Sequence, residues 1–215
     1  MERDYNAQTV KNFIVFEGLD GSGTTTQAKM LRDFYQGKGD ISCELTCEPT
    51  ETFIGEAVRK ILRGERTTAK GTLAKLFAVD RHNHIYHPEE GILARTVMGR
   101  KVICDRYLFS SLAYQSTDRP FEEVWELNRY FPLPEDLVFL DITPEEGERR
   151  MDKRGNPREV YEKTELQQEI RENYYHVFSL YSNSGMRIHI FDGSLPQEEL
   201  AESIRLKLDY TRGSK

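Results

Sequence analysis

The stretch Gly18-Leu-Asp-Gly-Ser-Gly23-Thr24-Thr25 sets three glycines and a hydroxyl at the spacing of a loop that wraps phosphate. Glycines let backbone N–H groups curl toward anionic oxygens, and a helix starting behind the loop adds partial positive charge. Gly18, Asp20, Gly21, Ser22, Gly23, Thr24, Thr25 and Thr26 are therefore the expected phosphate contacts, with Thr25 in the slot whose hydroxyl holds Mg2+. A plain strand-to-helix turn needs only one or two of those glycines. The slot that carries lysine in such loops holds Thr24. Loss of one preorganised charge-stabilising donor costs about 3–4 kcal/mol in a transition state. The loop thus calls for a cation from elsewhere, a low rate, or binding without transfer.

Other residue pairs point to the same kind of ligand. In "LFAVDR" (76–81), Phe77 and Arg81 are four apart on one helix face, a ring to stack on a base and a guanidinium to bond its edge. The alternative is a core phenylalanine beside a surface arginine. Asp105-Arg106 closes an apolar run. A strand-end carboxylate there can orient Mg2+ and the arginine can clamp a phosphate, where an ordinary surface ion pair is the plain alternative. Tyr107, Ser110, Ser111 and Tyr114 follow with hydroxyls. Arg149, Arg150, Lys153, Arg154 and Arg158 form a basic run with Gly155 and Pro157, which reads as a lid that delivers arginine to the loop. His82, His84 and His87 lack a carboxylate at ligand spacing and are expected at the surface or an interface. Cys43 and Cys47 are expected in the core rather than on a metal.

These residues need a scaffold that brings strand ends together. "FIVF" (13–16), "ISCELTC" (41–47), "KVIC" (101–104), "LVFLDI" (137–142) and "RIHIF" (187–191) read as strands, separated by helical segments that include 73–94, 158–182 and 196–210. Strands alternating with helices give a doubly wound α/β fold of three layers, with a five-stranded, mainly parallel sheet and ligands at the strand carboxyl ends. The length of 215 residues suits one domain, with a lid at about 147–162. The net charge of −6 argues against a dedicated nucleic-acid binder. Three cysteines, no long apolar run and the polar start "MERDYNAQTVK" lead to the expectation of a cytoplasmic protein without membrane partners.

With "EPT" (48–50), "DRYLFSSLAYQ" (105–115) and "REVYEKTELQQ" (158–168) added in order, the chain resembles the thymidylate kinase family of P-loop nucleoside monophosphate kinases. The resemblance implies a P-loop NTPase fold, transfer of the ATP γ-phosphoryl to dTMP with Mg2+, a place in dTTP biosynthesis, and a homodimer. It implies that Phe77 stacks on thymine beside Arg81 and Ser111, that Arg106 holds the dTMP phosphate near Asp20, and that Tyr114 lies against the deoxyribose. Glu48-Pro49, Glu159 and Tyr161 would close over the acceptor. Thr25, Asp20, Asp105 and Glu162 would serve the metal. The catalytic set would be Asp20 and Arg106 with lid arginines Arg154 and Arg158, since the loop itself has Gly21 and Ser22 rather than arginine. Two departures remove positive charge: Thr24 for the loop lysine, and Cys47 where relatives often have arginine before Glu-Pro. A kinase for another deoxynucleoside monophosphate and a catalytically weakened nucleotide-binding homologue are the rival readings.

Overall fold

The computed structural model describes residues 8–39, 42–154, 161 and 164–213. Five strands, β1 (Thr9–Gly18), β2 (Glu44–Cys47), β3 (Val102–Asp105), β4 (Leu133–Asp141) and β5 (Arg187–Asp192), form one sheet in the order β2-β3-β1-β4-β5. Every pairing is parallel, so the expected mainly parallel sheet is wholly parallel.

Strands this apolar must be covered on both faces, and β1 shows how. Phe13 and Val15 point to one side, into a core with Tyr107, Phe109, Tyr174 and Tyr181. Ile14 and Phe16 point to the other, against Ala28, Leu31, Leu200 and Ile204. Helices α5 (Leu108–Tyr114) and α8 (Thr164–Leu180) supply the first layer, α1 (Thr24–Gly37) and α9 (Gln197–Gly213) the second. The chain leaves β1 for the far edge, returns to β3 on one side of it, and crosses to β4 on the other. That reversal beside β1 opens a crevice at its carboxyl end. Phe16 and Asp105 are register partners there, so the ends of β1 and β3 deliver Gly18 and Arg106 to adjacent points.

Some expected elements change shape. The long helix over 73–94 is two, α3 (Thr72–Tyr86) and α4 (Ile92–Val97), with α2 (Phe53–Leu62) before them. His87 turns extended ahead of Pro88, whose ring disfavours a helical residue before it. Leu76, Phe77, Ala78 and Val79, expected to crowd one side of the helix, do not all face inward, because Val79 is exposed. The arginine-rich stretch begins in helix α7 (Pro144–Arg154), while Gly155 and Pro157, which mark part of it as loop, lie outside the described residues, and α6 (Phe121–Asn128) follows Pro120 where no element was expected. Among the described residues no helix is long and apolar enough to cross a membrane.

Candidate active site

The loop after β1 has the backbone its sequence requires. Gly21 and Gly23 sit at φ 82° and 94°, a region L side chains rarely adopt. Gly23 is the N-cap of α1, and no side chain caps that end. No acidic residue occupies the helix's first turn, so its free N–H groups and dipole face the loop unopposed. Thr24 is buried, on the wall of a cavity of about 430 Å³ with Asp20, Thr25, Thr26, Arg106 and Met151.

Beside it lies a second pocket of about 140 Å³, of the order that takes one aromatic ring (roughly 150 Å³ holds benzene). Phe77, Leu62, Pro49, Tyr114 and Tyr161 give apolar walls, and Asp20, Glu48, Arg106, Ser110 and Gln115 give polar ones. Tyr114 and Tyr161 meet edge to face at 5.6 Å.

Asp20 and Arg106 line both cavities. Arg106 has φ 71°, a costly conformation for a non-glycine residue, and its N–H donates to Phe16 O at 2.9 Å. Its guanidinium donates to Asp20 Oδ1 (2.9 Å), Tyr114 OH (3.0 Å), Tyr174 OH (3.2 Å) and the Gly18 carbonyl. Gln167 steadies Asp20 from the other side, donating to Oδ2 at 3.0 Å and accepting from the Asp20 N–H at 3.3 Å. Burial raises the Tyr114 hydroxyl far above its ordinary range, so it remains a neutral donor and acceptor.

Below Arg106 lies Glu17, fully buried, whose carboxylate accepts from the N–H groups of Tyr107 (3.0 Å) and Ser110 (3.2 Å) and the hydroxyls of Ser110 (2.5 Å) and Tyr174 (2.8 Å). Desolvation outweighs the opposing pull of Arg106 and these bonds, pushing its pKa from 4.5 to about 7. A carboxyl that holds its proton more tightly folded than unfolded favours folding most below pH 4.5, and that contribution declines as pH rises to 7. The stability of the protein relative to its Glu17→Gln variant is therefore expected to fall by about 3 kcal/mol across that window and stay level above it. Denaturant melts of both proteins at pH 5, 6, 7 and 8 check the sign; a wild-type minus variant stability that rises with pH contradicts it.

The loop after β2 is pinned from α3. Asp80 accepts from Thr50 N–H (2.7 Å) and Oγ1 (2.5 Å). Arg81 and Ser111 are not on the pocket wall. Arg81 is buried behind it, donating to Glu48 (2.8 Å), Ser111 Oγ (2.9 Å) and Asn128. The donor expected to meet a base edge is thus committed to Glu48, and it is Glu48 that reaches the wall. His84 is corrected outright: it is buried, 3.0 Å from Glu48 Oε1 and 2.7 Å from Thr46 Oγ1. Its carboxylate partner comes from a distant strand end, invisible to local spacing. Cys43 is buried, whereas Cys47 is only half-buried.

Residues 16–204 match the model of the thymidylate kinase family. The chain belongs to this family. A protein of Methanococcus aeolicus named "Probable thymidylate kinase" is 39% identical over 171 residues, spanning 79% of this chain and 81% of its own length. One of Pyrococcus abyssi with the same name is 37% identical over 200 residues, spanning 89% and 93%.

For a thymidylate kinase family member the two departures in charge gain structural context. Arg59 of α2 lies over Cys47, donating to Pro49 O (2.6 Å) and Thr50 O (2.5 Å) with Cys47 Sγ at 3.9 Å. A guanidinium thus serves the loop after β2 although the residue before Glu48 is not arginine. Around the phosphate loop, Arg150 and Lys153 line a cleft of about 290 Å³ with Gly21, Ser22, Gly23 and Thr26. Arg150 Nη1 approaches Gly21 O at 3.5 Å while Nε holds Glu146. Arg149 also bonds Glu146, through both Nε and Nη2 (2.8 and 2.7 Å), from an exposed position. α7 comes this close because its Gly147 meets Gly21 backbone to backbone. A Cβ on Gly21 would lie 2.6 Å from Gly147 O, and one on Gly147 2.6 Å from Asp20 O. The Arg154 side chain and Arg158, Glu159 and Glu162 lie outside the described residues.

The donor atoms fit Mg2+. Thr25 Oγ1 donates to Asp105 Oδ2, while Asp105 Oδ1 is buried with no hydrogen-bond partner. Hydroxyl and carboxylate oxygens are what a hard cation takes. Among the described residues no group of three or more His, Cys, Asp or Glu could hold a metal by itself. The pair therefore suits a cation that arrives on phosphate oxygens. Glu17, Gln167, Tyr174, Arg59 and Asn128 carry parts of this site without having been singled out in the sequence. The one local signal was Glu17, an acid inside the otherwise apolar run "FIVFEG".

Proposed function

We propose that the protein transfers the γ-phosphoryl group of ATP to dTMP, giving dTDP for dTTP synthesis. One observation carries the reading: Asp20 and Arg106 line both the phosphate-loop cavity and the ring-sized pocket, so a phosphate bound between them lies in reach of both. ATP would place its phosphates on residues 18–26, and dTMP its base against Phe77 with Tyr114 and Tyr161 around the sugar. Arg106 and Asp20 would orient the acceptor phosphate, Glu48 and Pro49 would bound the pocket, and Arg81 and Ser111 would brace Glu48 from behind. Glu159 would close over the acceptor and Glu162 would complete the metal set. Mg2+, held by Thr25 and Asp105 with Asp20 nearby, would neutralise charge on the donor phosphates. The acceptor phosphate is already an anion and needs no general base, so positioning and electrostatics supply the catalysis.

Arg150 would supply much of the charge that Thr24 leaves out, together with Arg154 and Arg158. A homodimer belongs to the same reading, supported by exposed Val79 and Tyr86 on α3. The test is ADP release with ATP, Mg2+ and a panel of dTMP, dUMP and ribonucleoside monophosphates. Turnover is expected to depend on the monophosphate and to be fastest with dTMP. ATP binding without turnover at saturating dTMP would overturn it, and faster turnover of another monophosphate would replace the substrate.

A further inference from the structure

Glu17 is a fully buried acidic group beside the site that the phosphoryl-transfer scheme leaves unused. It sits on β1 with its side chain toward α5 and α8, and touches neither cavity. Both hydroxyls that donate to its Oε2, those of Ser110 and Tyr174, also face Arg106: Nη1 lies 3.5 Å from Ser110 Oγ and 3.2 Å from Tyr174 OH. The two hydroxyls are 2.9 Å apart.

A hydroxyl has one hydrogen and two lone pairs. When Glu17 is ionised its Oε2 only accepts, so both hydrogens point to it and the lone pairs turn outward, where the guanidinium donates to them. Place a donor at that oxygen instead, and the hydroxyl it bonds no longer gives its hydrogen to Glu17. That hydrogen must turn to the neighbouring hydroxyl (2.9 Å) or, from Tyr174, to the Gly18 carbonyl (3.3 Å), which Arg106 Nη1 also uses. Arg106 then loses an acceptor that helps to fix its plane. The remaining charged or titratable groups around this cluster are Asp20, held by Arg106 at 2.9 Å, Tyr114, whose ring meets that of Tyr174 edge to face at 6.2 Å, the buried Cys104 thiol directed at the Arg106 carbonyl, and Tyr107, whose hydroxyl is turned away to Pro132 O at 2.9 Å. Neither Asp20 nor Tyr114 bonds Glu17.

We propose that Glu17 is a positioning residue for the acceptor phosphate: through the Ser110 and Tyr174 hydroxyls it fixes the face that Arg106 presents to a phosphate monoester. The inference rests on the reading of Arg106 as the dTMP phosphate clamp. Glu17→Gln keeps size and puts an N–H₂ where Oε2 was. Tyr174→Phe removes one relay hydroxyl and keeps the ring.

The experiment is calorimetric titration at pH 8.5, where Glu17 is ionised, of wild type and both variants with dTMP and with thymidine, which lacks the phosphate, alongside steady-state kinetics. A hydrogen bond to a charged group sets the scale, so Glu17→Gln is expected to weaken dTMP binding and raise its KM about tenfold. Thymidine binding should hold within twofold, and kcat should fall less than KM rises. Tyr174→Phe should show the same selectivity at about threefold. Equal weakening of dTMP and thymidine would reveal a merely structural role and overturn the proposal. So would unchanged dTMP affinity in a folded Glu17→Gln, or in Tyr174→Phe should Glu17→Gln not fold. Wild type that binds thymidine but not dTMP would overturn the Arg106 reading and this inference together. Wild type that binds dTMP tightly with both variants unaltered would overturn this inference alone.

Discussion

Replacing Arg106 by alanine is expected to lower kcat/KM for dTMP by about a thousandfold, the upper range for removing one preorganised charge-stabilising donor. The cause is double. The guanidinium is the cation shared by the phosphate-loop cavity and the ring-sized pocket, and its loss leaves Asp20 facing an incoming phosphate without compensation. Arg106→Lys keeps one charge but not the planar fork that reaches Asp20, Tyr114, Tyr174 and Gly18 together, so it should recover only a small part. Thymidine binding should change little in either variant, because Phe77, Leu62 and Pro49 are untouched. Steady-state kinetics with a thymidine titration decide the matter. A loss of less than tenfold in Arg106→Ala would mean the phosphate is clamped elsewhere.

The second large effect is non-additivity between position 24 and α7. Arg150→Ala alone is expected to lower kcat about a hundredfold, since it removes a cation beside a loop that lacks its own. Thr24→Lys alone should raise kcat, because the position opens onto a cavity of about 430 Å³ reaching Arg106. In the Thr24→Lys background the cost of Arg150→Ala should shrink to a few-fold, a coupling expected of groups that serve one phosphate. Measuring kcat for the four proteins closes the cycle. Independent effects that simply multiply would show that Arg150 does not stand in for the lysine.

The sheet was legible because its strands are short, apolar on both faces and separated by helical spacing, which permits little besides a covered parallel sheet. Of the site, the parts carried by contiguous motifs were legible: the glycine loop, Asp105-Arg106, and Phe77 with Tyr114 around a pocket. What stayed hidden was every partner chosen across the fold. His84 looked like a surface residue because its carboxylate, Glu48, lies 36 positions away. Arg81 looked free because Asn128 sits on α6, an element the pattern did not mark. In the arginine-rich stretch Gly155 and Pro157 signalled loop for a part that lies outside the described residues, and Pro144 with Glu145 and Glu146 starts a helix ahead of them. Which arginine approaches the phosphate loop depends on that helix, so Arg150 could not be separated from its neighbours by composition.

The touching backbones of Gly21 and Gly147 also constrain how this chain can change. An arginine at position 21, the alternative source of a catalytic cation, would require φ near 82° from a residue with a Cβ, and that Cβ would lie 2.6 Å from the Gly147 carbonyl of α7. No single substitution at position 21 therefore seats an arginine there while α7 keeps its place. The route passes through an intermediate in which the helix has been displaced and carries Arg150 away before the new arginine is useful. A lysine at position 24 avoids that contact, because the position opens onto the cavity shared with Arg106.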